Sequence, residues 1–325
     1  MKNRKSIIIV IISISIILIS LLIFMIFIFK KGSKKEENKN ISIVPSYNNP
    51  IIPEGFHKVE TEDASWEIND QGVPKGWNSG LVIEDENENQ FVWVPKFEKQ
   101  LKFREIIREI NLLEDEESAE EKQQIEKFQG FYIARYEAGV SEEMQKRTSN
   151  ISEETNDILG TPVSKKGVIA WNFISLKNAK INATNMYNTG AIKSDLISSR
   201  QWLYVMDWLY RNNYDIQNSP NIGNFANSKF NYSGLLSKDR GKNYMDFSGE
   251  KSGVCLLTTG VFKTNNIYDL AGNLMEYTDG YVKSRGYYSA GGYYSYSGTY
   301  NIYNLFFMGI EPLDKIGYRM VLYLK

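Results

Sequence analysis

One uninterrupted apolar run opens the chain, and nothing like it recurs. From Ser6 to Phe29 there is no charge; four serines (Ser6, Ser13, Ser15, Ser20) punctuate a series made otherwise of Ile, Leu, Val, Phe and Met. As a helix this stretch reaches about 36 Å, more than the roughly 30 Å hydrocarbon core of a bilayer. Each strongly apolar side chain favours insertion by roughly 0.4 kcal/mol, so the serines do not reverse the balance. The run ends in Lys30-Lys31-Gly32-Ser33-Lys34-Lys35, without a small-residue cleavage step or a lipid-accepting cysteine. The pattern predicts a transmembrane helix over residues 6–29 behind a short cytoplasmic tail at 1–5. Basic residues flank both ends and discriminate little. A signal-anchor of this kind leaves the N-terminus cytoplasmic and the long C-terminal portion outside. Residues 30–49, charged and rich in Asn and Ser, are expected to form a disordered tether.

Beyond the tether the apolar positions fall into short groups. Leu81-Val82-Ile83 and Phe91-Val92-Trp93-Val94 flank the turn-rich Asp85 to Asn89 and predict a hairpin. Phe103, Ile106, Ile107, Ile110 and Leu113 recur at helical spacing, so a charged helical insertion is expected over about residues 102–128. Phe131 to Tyr136 reads as a strand. Ser198 followed by Gln201 forms a capping box that opens a helix through Trp202, Val205, Met206 and Leu209. After Ser219 periodicity fades, and Gly, Asn, Ser and Tyr dominate; turns and packed aromatics are expected to hold that region. The expectation is an irregular α+β domain over residues 50–325.

Charge and the rarer residues narrow the chemistry. The chain carries 38 basic and 39 acidic residues; residues from 40 onward hold 30 and 37 of them, a net charge of −7. An acidic domain without a basic stripe argues against nucleic acid as partner. There is one histidine, His57, and one cysteine, Cys255. That pair cannot build a zinc site of the usual N/S type. No Gly-x-Ser-x-Gly element accompanies His57, and Cys255 lies in the apolar Val254-Cys255-Leu256-Leu257, as a packed and inert thiol would. Paired carboxylates remain open, because sequence spacing does not fix their separation in space.

Five segments in order resemble the formylglycine-generating-enzyme, or sulfatase-modifying-factor, family. They are Phe91-Val92-Trp93-Val94-Pro95; Gly130-Phe131-Tyr132-Ile133-Ala134-Arg135-Tyr136-Glu137; Leu196 through Trp202-Leu203-Tyr204; Ile267 through Asp269-Leu270-Ala271-Gly272-Asn273-Leu274-Met275-Glu276-Tyr277-Thr278; and Ile316-Gly317-Tyr318-Arg319. The resemblance implies a C-type-lectin-like α+β fold. It does not carry the family's catalytic metal across. The two cysteines that bind copper in the family follow a stretch that here looks like Ala290-Gly291-Gly292-Tyr293, and their positions fall near Tyr296 and Asn301. Neither residue supplies a thiolate for copper(I). The three histidines of the related iron enzymes are also missing, so neither copper, iron nor zinc, and no catalytic residue, is expected.

What the resemblance implies positively is calcium at the 269–276 turn, through the side chains of Asp269 and Glu276 and the backbone carbonyls of Gly272 and Leu274. Calcium takes six to eight oxygens, and a tight glycine-containing turn aims carbonyls and carboxylates at one point. A second candidate is the tyrosine-rich stretch from Tyr277 to Phe307. Tyrosine among Gly and Ser supplies rigid, amphipathic contact, and in the family this region lines the substrate groove. Tyr293, Tyr294, Tyr296 and Tyr300 are the candidate ligand-binding residues, against the plainer reading that such tyrosines fill a core poor in aliphatics. The expected function is a membrane-anchored, extracytoplasmic, non-catalytic module that binds a glycan or peptide. A diverged oxidoreductase, or another enzyme using the same groove, is the alternative.

Overall fold

The computed structural model describes residues 48–59, 66–96, 119–141, 157–188, 190–218, 222–225, 263–282, 286–296, 301–307 and 309–325. The expected transmembrane helix, most of the tether, residues 102–118 of the insertion, Cys255 and Tyr300 lie outside these residues. Among the described residues no helix is long and apolar enough to cross a membrane.

The described residues form a mixed α+β domain dominated by strands. A six-stranded antiparallel sheet runs in the order β1 (Phe56–Lys58), β2 (Val82–Asp85), β3 (Gln90–Pro95), β4 (Gly130–Ala134), β14 (Met320–Leu324), β7 (Ile192–Leu196). The expected hairpin is β2–β3, with Val82 opposite Val92 and Ile83 opposite Phe91. The expected strand after residue 130 is β4, paired to both β3 and β14.

Runs such as Phe-Val-Trp-Val and Phe-Tyr-Ile-Ala are apolar at every position because both faces of this sheet are covered. Successive side chains alternate between faces. Val92, Val94, Phe131, Ile133, Val321 and Tyr323 pack with Trp202, Val205, Met206 and Leu209 of helix α3 (Ser199–Arg211) on one side. Phe91, Trp93, Tyr132, Ala134, Met320 and Leu322 pack on the other, with Leu176, Ala179 and Ala183 of helix α2 (Leu176–Met186). Helix α1 (Ala119–Phe128), the described part of the insertion, sets Ile125 into the α3 side and is therefore part of the packed domain.

Ser198 caps α3 as its sequence predicts. Its hydroxyl accepts from Gln201 N at 3.0 Å, and Gln201 Oε1 accepts from Ser198 N at 3.0 Å. The Ser198 hydroxyl also donates to the buried Glu121 Oε1 of α1 at 2.9 Å, tying the two helices together.

The segment expected to lack periodic structure holds short strands. β8 (Lys263–Thr264) and β9 (Ile267–Tyr268) form a small hairpin. A second, four-stranded sheet has the order β12 (Phe306–Phe307), β11 (Gly286–Ala290), β10 (Met275–Val282), β13 (Ile316–Tyr318), with β13 parallel to β10. The chain leaves β13 and enters β14 through a single residue, Arg319, so that residue sits where the two sheets meet.

Candidate functional site

Arg319 is buried at 0% exposure, and every part of its guanidinium has a partner. Nε donates to both oxygens of Glu276 at 2.9 and 3.1 Å, and Nη2 to Glu276 Oε1 at 2.6 Å. The remaining bonds go to the carbonyls of Ala134, at 3.0 Å, and Tyr268, at 2.9 Å. Glu276 is the second residue of β10 and is equally buried. The closing Ile-Gly-Tyr-Arg segment and the Asp269–Thr278 segment are thus joined by an internal ion pair. In a dry interior such a pair holds only because its geometry is fully satisfied.

The turn leading into β10 is built from left-handed backbone. Asp269, Gly272 and Asn273 have φ of 58°, 73° and 59°. Gly272 N donates to Gly291 O and Asn273 N to Asn224 O, both at 2.9 Å. A Cβ on Gly272 would stand 2.1 Å from Asn224 O, so only glycine fits.

Glu137, three residues beyond β4, closes the turn from below. Its Oε1 accepts from Leu274 N at 2.9 Å, and its Oε2 accepts from Asn273 Nδ2. Burial pushes the Glu137 carboxyl well above the usual glutamate range, Asp269 and Glu276 add to this, and Arg319 opposes it only in part. Burial also raises Glu276, against the pull of Arg319. Glu137 and Glu276, both buried, thus act on the same guanidinium.

Of the four expected calcium ligands, Glu276 is engaged by Arg319, and Asp269 is buried at the start of the turn that holds Gly272 and Leu274. The donors are all hard oxygens, the type calcium prefers. Among the described residues no three His, Cys, Asp or Glu side chains form a metal-ligand group. Glu137 was not among the expected site residues, although it ends the Phe131–Glu137 motif. Its role follows only from the bonds that the segment after β4 makes with the turn.

The tyrosines divide into two sets. Tyr277, Tyr288, Tyr294 and Tyr303 are core. Tyr294, an expected ligand residue, is 6% exposed and donates its hydroxyl to Asp314 Oδ2 at 3.1 Å; burial raises its pKa. Tyr293 and Tyr296 are half-buried, with ring centroids 5.6 Å apart and planes inclined by 56°. Lys315 Nζ stands 4.9 Å from the Tyr293 centroid. No sequence signal marked Lys315, which reaches Tyr293 from the loop before β13. A further pair on the β10–β11 hairpin joins exposed Tyr281 to half-buried Tyr287, which packs against the core, with centroids 5.0 Å apart.

His57 lies on β1 with a 62% exposed side chain, 3.4 Å from Glu84 Oε1. An open depression of about 430 Å³ at the end of α3, lined from Tyr210 to Gln217, includes none of the residues singled out by sequence.

No family model and no curated protein matches this chain. Among solved structures, one titled "Crystal Structure of CarF" aligns at a TM-score of 0.34 and 15% identity, over 60% of this chain and 87% of that one. A likeness at that level carries no argument about fold or activity.

Proposed function

We propose that this chain is a membrane-anchored, extracytoplasmic recognition module that binds a glycan or peptide and performs no catalysis. In this reading residues 6–29 span the membrane, residues 30–49 tether the domain, and residues 50–325 take a sulfatase-modifying-factor-like, C-type-lectin-like scaffold. Support for the scaffold comes from the motif residues themselves. Trp93, Tyr132, Trp202 and Tyr318, from four of the five segments, are fully buried, and Glu276 and Arg319 from the last two form one ion pair.

The observation that carries the binding reading is the Tyr293–Tyr296 ledge. Two half-buried rings are held by the chain that also closes the rigid turn, since Tyr294 N donates to Asn273 O at 2.9 Å. Pre-ordered aromatic faces bind at low entropic cost.

Calcium at the turn belongs to the same proposal. Asp269 and the Gly272 and Leu274 carbonyls would hold the ion, with Glu276 shared between it and Arg319. A divalent cation there would add positive charge beside Asp269, Glu137 and Glu276.

The test is an array of glycans and peptides probed with the full-length chain in lipid nanodiscs. Selective retention on some spots supports the proposal; a blank array removes it.

A further inference from the structure

Arg135, the residue after β4, is a buried cation without a counter-ion. It is 4% exposed, yet among the described residues no carboxylate lies within ion-pairing distance of it. Its backbone is fixed on both sides: N donates to Gln90 O, and O accepts from Tyr268 N, both at 2.9 Å. Nε donates to Asn266 O at 3.0 Å and Nη1 to Gln90 Oε1 at 2.8 Å, and both acceptors are neutral. Nη2 donates to no oxygen of the described residues. The guanidinium carbon lies 5.1 Å from the Tyr268 ring centroid and 5.8 Å from that of Tyr136, and those two rings are stacked on each other. The rings offset part of the charge but supply no oxygen.

Two other arginines are treated differently. Arg319 meets Glu276 at 2.6 Å, and Arg211 meets Asp207 at 2.6 Å. Beside Arg135 the acid is held one residue away. Glu84 accepts from Gln90 Nε2 at 2.5 Å and stands 3.4 Å from His57 Nε2, so the Gln90 amide separates it from the guanidinium. A charge withdrawn from water this far calls for a partner of opposite sign.

We infer that Arg135 holds a small oxyanion at its open Nη2. A guanidinium presents parallel N–H bonds that match two oxygens of one anion, which favours phosphate, sulfate or carboxylate over a halide. The slight exposure of the residue limits the occupant to a small ion. The site shares no residue with the Tyr293–Tyr296 ledge, so it stands or falls independently of the recognition reading.

The test is the melting midpoint of the full-length chain in nanodiscs, titrated with sodium phosphate, sulfate or acetate at an ionic strength held constant with chloride. An anion bound only by the folded state should raise the midpoint by roughly 2–4 °C at about ten times its dissociation constant. General exclusion of phosphate and sulfate from protein surfaces also stabilises, but it does not depend on one side chain. Arg135→Gln should therefore abolish the rise. A rise with phosphate and sulfate alone assigns the site to tetrahedral anions, and an equal rise with acetate assigns it to carboxylates; either supports the inference. No rise with any of the three, or the same rise in Arg135→Gln as in wild type, would overturn it. Should Arg135→Gln fail to fold, Arg135→Lys takes its place in equilibrium dialysis with whichever labelled anion raised the wild-type midpoint. Uptake roughly tenfold weaker than wild type is expected there, because the ammonium keeps the charge and loses the fork; unchanged uptake would overturn the site.

Discussion

At the scale of single residues, the interior is held by charges that cannot be removed one at a time. Arg319→Met leaves Glu276 ionised or protonated in a dry site without its three guanidinium contacts. The expected loss is about 3–5 kcal/mol, read as a shift in urea midpoint; a change below about 1 kcal/mol would show the pair to be dispensable. Gly272→Ala should cost several kcal/mol by the same measurement, since its Cβ would overlap Asn224 O and its φ is positive.

Glu137 sets a pH dependence. Its folded pKa is raised, so the folded state holds a proton the unfolded chain has released. That contribution is fully present below the ordinary glutamate value of about 4.3 and is lost as pH rises through the raised one. In chelator, stability should therefore decline on going upward from mildly acidic pH, and Glu137→Gln should flatten the decline. Calcium, if held at the turn, should raise the melting midpoint more at neutral than at acidic pH, because it replaces the proton as the balancing charge. A midpoint indifferent to chelator at both pH values would contradict the calcium part of the proposal.

At the scale of elements, α3 holds one face of the large sheet: its cap binds α1, and its apolar stripe fills the core on that face. Ser198→Ala removes the cap and the bond to Glu121 together, at an expected cost of about 1–2 kcal/mol. Trp202→Ala, at a position of 0% exposure, should cost about 3–5 kcal/mol. Both are read from urea midpoints of the full-length chain.

These were also the parts most legible in sequence. The β2–β3 hairpin, β4 and the capped α3 each carry a local rule: a turn between apolar runs, or a serine and glutamine three apart. Other elements carried no such rule. Helix α2 covers its sheet face with Ala179, Ala183 and the buried Asn182, so its apolar stripe is thin. Strand β7 turns Ser194 inward, where the hydroxyl donates to Ala183 O at 2.6 Å, and this breaks the alternation of apolar residues. In the last hundred residues the strands are two to eight residues long, and β13 and β14 pair with β10, β4 and β7, far away in sequence. The site was legible in part. Asp269 and Glu276 could be singled out from the turn motif; Glu137 ends another motif, but its contact with the turn, like that of Lys315 with Tyr293, joins distant segments. Nor did spacing distinguish Tyr294, turned into the core, from Tyr293 and Tyr296 on the ledge.

At the scale of the molecule, the proposed function assigns anchoring to residues 6–29 and recognition to residues 50–325. The bonds of Arg319 are directed at Glu276 and at backbone carbonyls, and Glu137 accepts from Asn273 and Leu274. The proposed function leaves no redox metal in this domain. Protein purified in copper or iron should therefore carry neither in stoichiometric amount by elemental analysis; a tightly held redox metal with turnover would favour the enzyme reading instead.

The central claim is that recognition occurs on the ledge, and it is tested most directly by one comparison. The affinity of wild type and of Tyr293→Ala/Tyr296→Ala is measured for whichever probe the array retains, at equal melting midpoint. The account predicts a loss of roughly 10- to 100-fold, as expected for removing two aromatic contacts from the centre of a binding surface. An affinity unchanged by the double substitution, in a protein that still melts as wild type does, would contradict it.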